Sequence, residues 1–320
     1  MIKTILIPVD GSPNSANAVD YGIYIAPKLE AALTGLHVID IFLIQGPMLT
    51  DISTTAGMPP CDGFCEAIEA SLKEKADLLL KDFEDRCRMA AIPCRTQKNI
   101  GKISDTIIEE AENADLILMA KKGEHFHVKE GGLIGSVAEV VIRHSGKPVM
   151  VIPESFRMIE SMGLAYDGSA PSRKALELSL MISEKANWPI TVIIISTDKS
   201  RAADLSTQVE DAAQQGHADC EVIISTGREV DEILKFIKEG SVELMVMGAY
   251  GHNRLRELLL GSTTSQVIRK SPIPVPEKGA GNRSRHGCRL CRLRHGRYHR
   301  RHDQKKRQAG QVCDRHAETE

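Results

Sequence analysis

The run ILIPVDGSPNSANAV, from Ile5 to Val19, returns as GLAYDGSAPSRKAL from Gly163 to Leu176, and Asp10 is matched by Asp167 at an offset of 157. A second pair, GSVAEVVIRHSGKPV from Gly135 and GSTTSQVIRKSPIPV from Gly261, repeats at an offset of 126. Self-similarity at this period makes the chain two related domains, each large enough to bury a core of its own. The offset falls by 31, so the first copy carries an insertion. Residues 42–72, rich in Gly, Pro, Thr and Ser, are its expected place and read as a long loop leading into a helix. The copies divide near Pro153–Ser161, giving domains at 1–153 and 162–275 and a tail at 276–320.

Within each copy, short apolar runs alternate with segments of helical period. ILIPV is continuous and apolar, as a strand buried on both faces requires, and Ala16, Val19, Ile23 and Ala26 follow at helical spacing. LTGLHVIDIFL and ITVIIIS are the second strands, and long helices follow at about 65–89 and 201–215. Edge strands are expected near Cys94–Lys98 and Cys220–Ser225, then a helix, the strand LILMA or LMVMG, and a last helix and strand. This alternation predicts βαβ units and a parallel sheet with helices on both faces. Ligands of such sheets bind beyond the C-terminal strand ends, where strand order reverses.

Composition narrows the function classes. Aromatic residues are only 4%, so the cores rest on aliphatic side chains and a base-stacking surface for single-stranded nucleic acid is not expected. The net charge of −2 hides a division: 276–320 holds 13 Lys and Arg against five Asp and Glu, leaving the rest acidic. MIKTILIPVDGS is too short an apolar run for a signal peptide, and no stretch reaches the ~18–20 apolar residues that span a bilayer. A cytoplasmic location is therefore expected, with the eight cysteines reduced and Cys87, Cys94 and Cys220 serving as small buried hydrophobes.

One motif carries chemistry. After the strand LMVM come Gly248, two residues, Gly251, nine residues, then Gly261-Ser262-Thr263-Thr264 opening a helix. A strand-end glycine admits close backbone approach, and a helix start rich in hydroxyls offers free N–H groups at the positive end of its dipole. Gly-Ser before a helix is common punctuation taken alone; strand, paired glycines, spacer and helix start together point to phosphate. Neither a GxxxxGK[ST] loop nor a GxGxxG after a first strand is present.

G-x2-G-x9-G-[S/T] after the fourth strand, with V-D-G-S or Y-D-G-S after the first, resembles the universal stress protein family in tandem over about residues 1–275. The resemblance implies two Rossmann-like (adenine nucleotide alpha hydrolase-like) α/β domains, each a five-stranded parallel sheet, with pairing between domains through the last strand. It also implies ATP, alone or with Mg2+, in one subgroup. By that likeness Asp167 faces ribose or base, Ile195 contacts adenine, and Met247 and Gly248 border the ribose. Gly251, Gly261, Ser262, Thr263 and Thr264 hold phosphates, with His252 and Arg254 in the spacer as phosphate contacts or solvated loop charges. In the first copy Ala120 replaces the first glycine, Gly123 is kept, and eleven residues precede Gly135-Ser136. Asp10 and Val38 keep the base-side positions, while Lys121, Lys122 and Lys129 read as phosphate attractants or a solvated basic loop. A weaker second site, or none, is expected there.

No catalytic constellation stands out: His125, His127, His144 and His252 have no nucleophile or base paired with them in sequence. The first expectation is a nucleotide-dependent regulator with an adenine nucleotide as ligand, domain pairing within the chain, a homodimer as a further arrangement, and an unnamed protein partner. A slow ATPase or nucleotide-transfer enzyme is the alternative. The tail is cut from the strand pattern at Pro276 and keeps three readings. It is a disordered basic segment touching nucleic acid or acidic partners, a zinc site from Cys288, Cys291, His295 and His299 at a spacing too short for a common finger, or the product of a shifted reading frame.

Overall fold

Ile5, Leu6 and Ile7 at the centre of β1 (Thr4–Pro8) are buried on both faces, so β1 lies inside a sheet and not at its edge. The computed structural model describes residues 1–45, 62–123, 136–239, 242–248 and 262–270. The last strand of the second copy and all readings of the tail lie outside the described residues. After β1 come α1 (Pro13–Leu29), β2 (Ala32–Asp40), the short α2 (Ile41–Gln45), α3 (Asp62–Met89), β3 (Cys94–Gly101), α4 (Ile103–Ala111), β4 (Leu116–Ala120), α5 (Ser136–His144) and β5 (Val149–Ile152). The second copy runs β6 (Met162–Ala165), α6 (Ala170–Ala186), β7 (Ile190–Ile195), α7 (Lys199–Gln215), β8 (Cys220–Ser225), α8 (Glu229–Glu239), β9 (Leu244–Met247) and α9 (Ser262–Lys270).

The first sheet has the order β3-β2-β1-β4-β5 and the second β8-β7-β6-β9, with every pairing parallel. Strand order therefore reverses between β1 and β4, and again between β6 and β9. Pro8 pairs with Leu36 and Ala165 with Ile193, each residue of the second pair 157 beyond its counterpart in the first, so the repeat holds to the residue in the ladder. Leu33 pairs with Cys94 and Ile190 with Cys220, and α3 and α7 end at Met89 and Gln215, at the offset of 126. The insertion thus falls between Asp40 and Lys73, and it includes α2 and the first turns of the 28-residue α3.

Both first helices start alike. Ser12 and Ser169 are N-caps whose side chains accept from the backbone N–H of Ser15 and Ser172 at 3.1 and 3.3 Å, satisfying N–H groups that a helix start leaves unpaired. Both end in a left-handed residue, Glu30 and Asn187, each at φ 55°.

The two copies share one apolar core, which runs from Ile5 and Leu33 through Leu164 and Val192. At its margin Tyr24 of α1 stacks on Trp188 with ring centroids 6.3 Å apart, and Lys28 lies over Trp188 at 5.7 Å. The segment between the sheets adds Phe156, 4.8 Å from Tyr21, while Tyr24 donates to the Ile159 carbonyl at 2.6 Å. Cys87 is fully buried, and burial together with the nearby Cys94 pushes its thiol upward, which suits a packing residue. Among the described residues no helix is long and apolar enough to cross a membrane.

Candidate functional site

At the end of β6 the chain passes through Tyr166 and Asp167 into Gly168, whose φ of +76° suits a residue without Cβ. Gly11 holds the same place after β1 at φ +88°. The turn brings each aspartate back over the following helix start: Asp167 accepts from the Ser169 N–H at 2.9 Å, and Asp10 from the Ser12 N–H at 2.9 Å. Burial raises the Asp167 carboxyl, but hydrogen bonds from the Ser169 and Ser172 side chains and backbone N–H groups together lower it below its ordinary value of 3.8. A carboxyl whose folded value is lowered adds stability above its unfolded value and loses it as pH falls through the folded one. Asp167→Asn is accordingly expected to flatten the fall in denaturation midpoint below about pH 5, measured beside the parent in urea titrations.

In the first copy the expected positions converge. Asp10, Val38, Gly123 and Ser136 line one cavity of about 180 Å³, together with Asp40, Lys75, Ala120 and apolar residues of β2, β4 and α4. It lies at the strand ends where β1 and β4 part, the predicted place in such a sheet. Gly123 closes on Asp10: a Cβ there would stand 2.7 Å from Asp10 Oδ2. Leu43 of α2 and Leu72 of α3, both from the insertion, form part of the wall. Lys121 and Lys122 do not line this cavity. Lys122 pairs with Glu154 at 2.6 Å, and Lys121 is half-buried beside the inter-copy groove, where burial and then Lys122 lower its amine. Neither is the solvated loop charge expected. Gly135 and Lys129 lie outside the described residues.

The second copy distributes its positions over two places. Asp167 lies two residues past the end of β6 and Ile195 ends β7, and Arg201 of α7 reaches across to donate to the Asp167 carbonyl at 3.5 Å. Met247, Gly248 and Thr264 line a groove of about 360 Å³ between β5 and β9. A Cβ on Gly248 would meet the backbone of Pro171 and Ser172 at 2.6–2.8 Å, so here glycine admits a helix start. Thr263 donates to Glu229 at 2.8 Å. Gly251, His252, Arg254 and Gly261 lie outside the described residues, as does the side chain of Ser262.

Among the charged side chains, Asp40, Lys75 and Arg201 escaped the sequence reading. Lys75 and Arg201 stand 126 apart, so extending the repeat backwards through the long helices would have paired them. The same extension sets Asp40 against Thr197, at an offset of 157.

The model of the universal stress protein family matches residues 1–153 and 194–275. The chain belongs to that family. A universal stress protein of Synechocystis sp. is 29% identical over 285 residues, covering 86% of this chain and 99% of the relative. One from Mycobacterium tuberculosis is 22% identical over 295 residues, with 85% and 95% covered. The crystal structure of a universal stress protein from Archaeoglobus fulgidus superposes with a TM-score of 0.68 at 25% identity, over 84% of this chain and 96% of that one. Universal stress protein architecture thus extends through both sheets. Asp167 precedes the second matched stretch and takes its place from the internal repeat and the Asx turn it shares with Asp10.

Proposed function

We propose that this universal stress protein is an adenine-nucleotide-dependent regulator whose second copy holds ATP. The carrying observation is Asp167, kept ionised by Ser169 and Ser172 at the point where β6 and β9 part, beside Ile195 at the end of β7. A carboxylate fixed there is an acceptor for ribose hydroxyls, and Ile195 supplies an apolar face for the base. The α9 start, with Ser262, Thr263 and Thr264 after Gly251 and Gly261, supplies the phosphate end through N–H groups and helix dipole. Mg2+ in this reading travels with the phosphates, as it does where few protein ligands are offered. Because α9 borders the groove between the copies, occupancy of its start is positioned to alter how the copies pair and which partner protein they take. In this reading the protein works in the cytoplasm, with domains at 1–153 and 162–275.

Nucleotide content tests it. Protein purified from cells and heat-denatured should release one ATP or ADP per chain, and a Gly261→Asp/Ser262→Asp variant should release none, since two carboxylates at a helix N-terminus repel phosphate. Absence of nucleotide from the parent, with no uptake of added Mg-ATP, would leave a scaffold role only.

A further inference from the structure

Where α3 ends, a tight turn carries the chain into β3 with a cysteine on either side of it. The Ile92 N–H donates to the Cys87 carbonyl at 3.0 Å, Ala91 takes a left-handed φ of 57°, and Cys94 opens β3 opposite Leu33. Both cysteines belong to the same apolar core as Leu33, Phe83 and Ile92, and their thiols hydrogen-bond to each other. Both are free thiols, Cys87 fully buried and Cys94 half-buried on the edge strand. The second copy repeats this turn to the residue. The Ala218 N–H donates to the Ala213 carbonyl at 3.1 Å, His217 has a φ of 49°, and Cys220 opens β8, each position 126 beyond its counterpart. There a buried alanine stands where the first copy has Cys87, so Cys220 has no thiol across its turn. Since alanine serves the same turn, packing alone does not require a sulfur at residue 87.

We propose that Cys87 and Cys94 are a reversible oxidation site, at which hydrogen peroxide joins the two thiols in a disulfide that staples the end of α3 to β3. Cys94, the more exposed of the two, meets the oxidant first. Its thiolate attacks one peroxide oxygen and breaks the O–O bond, giving a sulfenic acid and releasing one water. The Cys87 sulfur then displaces the hydroxyl from the Cys94 sulfur, and its proton leaves with that hydroxyl as a second water. The pair loses two electrons and two protons, and the peroxide is reduced to water. Cys87 is unsuited to the first step, because burial and then Cys94 push its thiol up to about 12 and leave almost none of it ionised at neutral pH. It suits the second, since it already touches the sulfur it must attack and closes the disulfide ahead of further oxidation to sulfinic acid. A small dithiol reverses the bond by exchange. Whether the second copy holds ATP does not bear on this site.

The test treats the folded full chain with a small excess of hydrogen peroxide, then unfolds it in urea with iodoacetamide to block the remaining thiols. Trypsin cleaves after Arg86, Arg88 and Arg95, so the expected product is the dipeptide Cys87-Arg88 joined to the peptide 89–95. Mass spectrometry should find that pair as the major form after peroxide, absent before it and lost on treatment with dithiothreitol, with Cys220 recovered alkylated. Cys87→Ala copies the second-copy turn and should leave Cys94 as a sulfenic acid that dimedone traps. Cys94→Ala should leave Cys87 unmodified. Recovery of both Cys87 and Cys94 alkylated after peroxide overturns the proposal, as does a link that forms only when the chain is oxidised in urea. Dimedone on Cys87 in Cys94→Ala would overturn the assignment of Cys94 as the sulfur that meets the oxidant.

Discussion

Gly248→Val is expected to destabilise the second copy by more than the ~3 kcal/mol that usually bounds overpacking of a core. The added carbon would sit 2.6 Å from Ser172 N, 2.7 Å from the Pro171 carbonyl carbon and 2.8 Å from Ser172 Cα. Where a flexible side chain is the obstacle, as with Phe83 against Gly35, a rotation relieves part of the clash. At Gly248 the obstacle is helix backbone, so α6 itself must move. Its first turn is tied down: Ser169 caps it, Asp167 holds the Ser169 N–H, and the Ser172 hydroxyl donates to the Ser169 carbonyl at 3.0 Å. Urea denaturation should show a lower midpoint for Gly248→Val, a smaller drop for Gly248→Ala, and little change for Ala120→Ser in the first copy. Equal midpoints for Gly248→Val and the parent would show that α6 and β9 do not meet as described.

Trp188→Ala should cost about 3–5 kcal/mol, the range for truncating a large buried aromatic. Trp188 is 4% exposed and is the chain's single tryptophan. Its position makes the outcome more informative than an ordinary core deletion. It follows the left-handed cap Asn187, its carbonyl accepts from Ser183 Oγ at 2.6 Å, and its ring lies against Tyr24 of the other copy. The Glu30–Lys185 pair at 2.7 Å joins the same two helices, but Glu30 is largely in solvent, and exposed pairs contribute little. The aromatic contact is therefore the stronger tie. Differential scanning calorimetry of the parent should give one transition, because the core is continuous across both copies. In Trp188→Ala the transition should move down and begin to split. A loss under about 1 kcal/mol with a single unshifted peak would mean that the copies are coupled elsewhere.

Much of the fold was legible because strand and helix periods are local properties. Apolar runs such as ILIPV are strands buried on both faces, and the repeat carried each assignment from one copy to the other. The long helix expected at about 65–89 is α3, Asp62–Met89, and the insertion lies within the stretch proposed for it. The position of the turn aspartates was equally readable, since Asp-Gly-Ser after a strand encodes an Asx turn and an N-cap by itself.

The site was legible only in part. Asp10, Val38, Gly123 and Ser136 were named from motif position, and they do meet around one cavity. Asp40, Lys75, Leu43 and Leu72 were not, because their approach depends on how the insertion folds back over β2. At Gly248 a glycine at a strand end signals close approach without saying what approaches, and the structure sets the start of α6 against it. Lys121 and Lys122 were placed with the loop, whereas parallel pairing of β4 with β5 puts them beside Glu154 and the groove.

By itself the sequence determined the two-copy α/β architecture, the strand ends at which a ligand would gather, and the aspartates that stand there. These follow from periodicity and turn chemistry, which act between residues close in the chain. Only the tertiary structure decided which copy's named positions converge on a cavity, what fills the space at Gly248, and how Tyr24, Phe156 and Trp188 join the copies. Those outcomes turn on packing between segments far apart in the chain, where volume and charge balance are set by neighbours that no local pattern specifies.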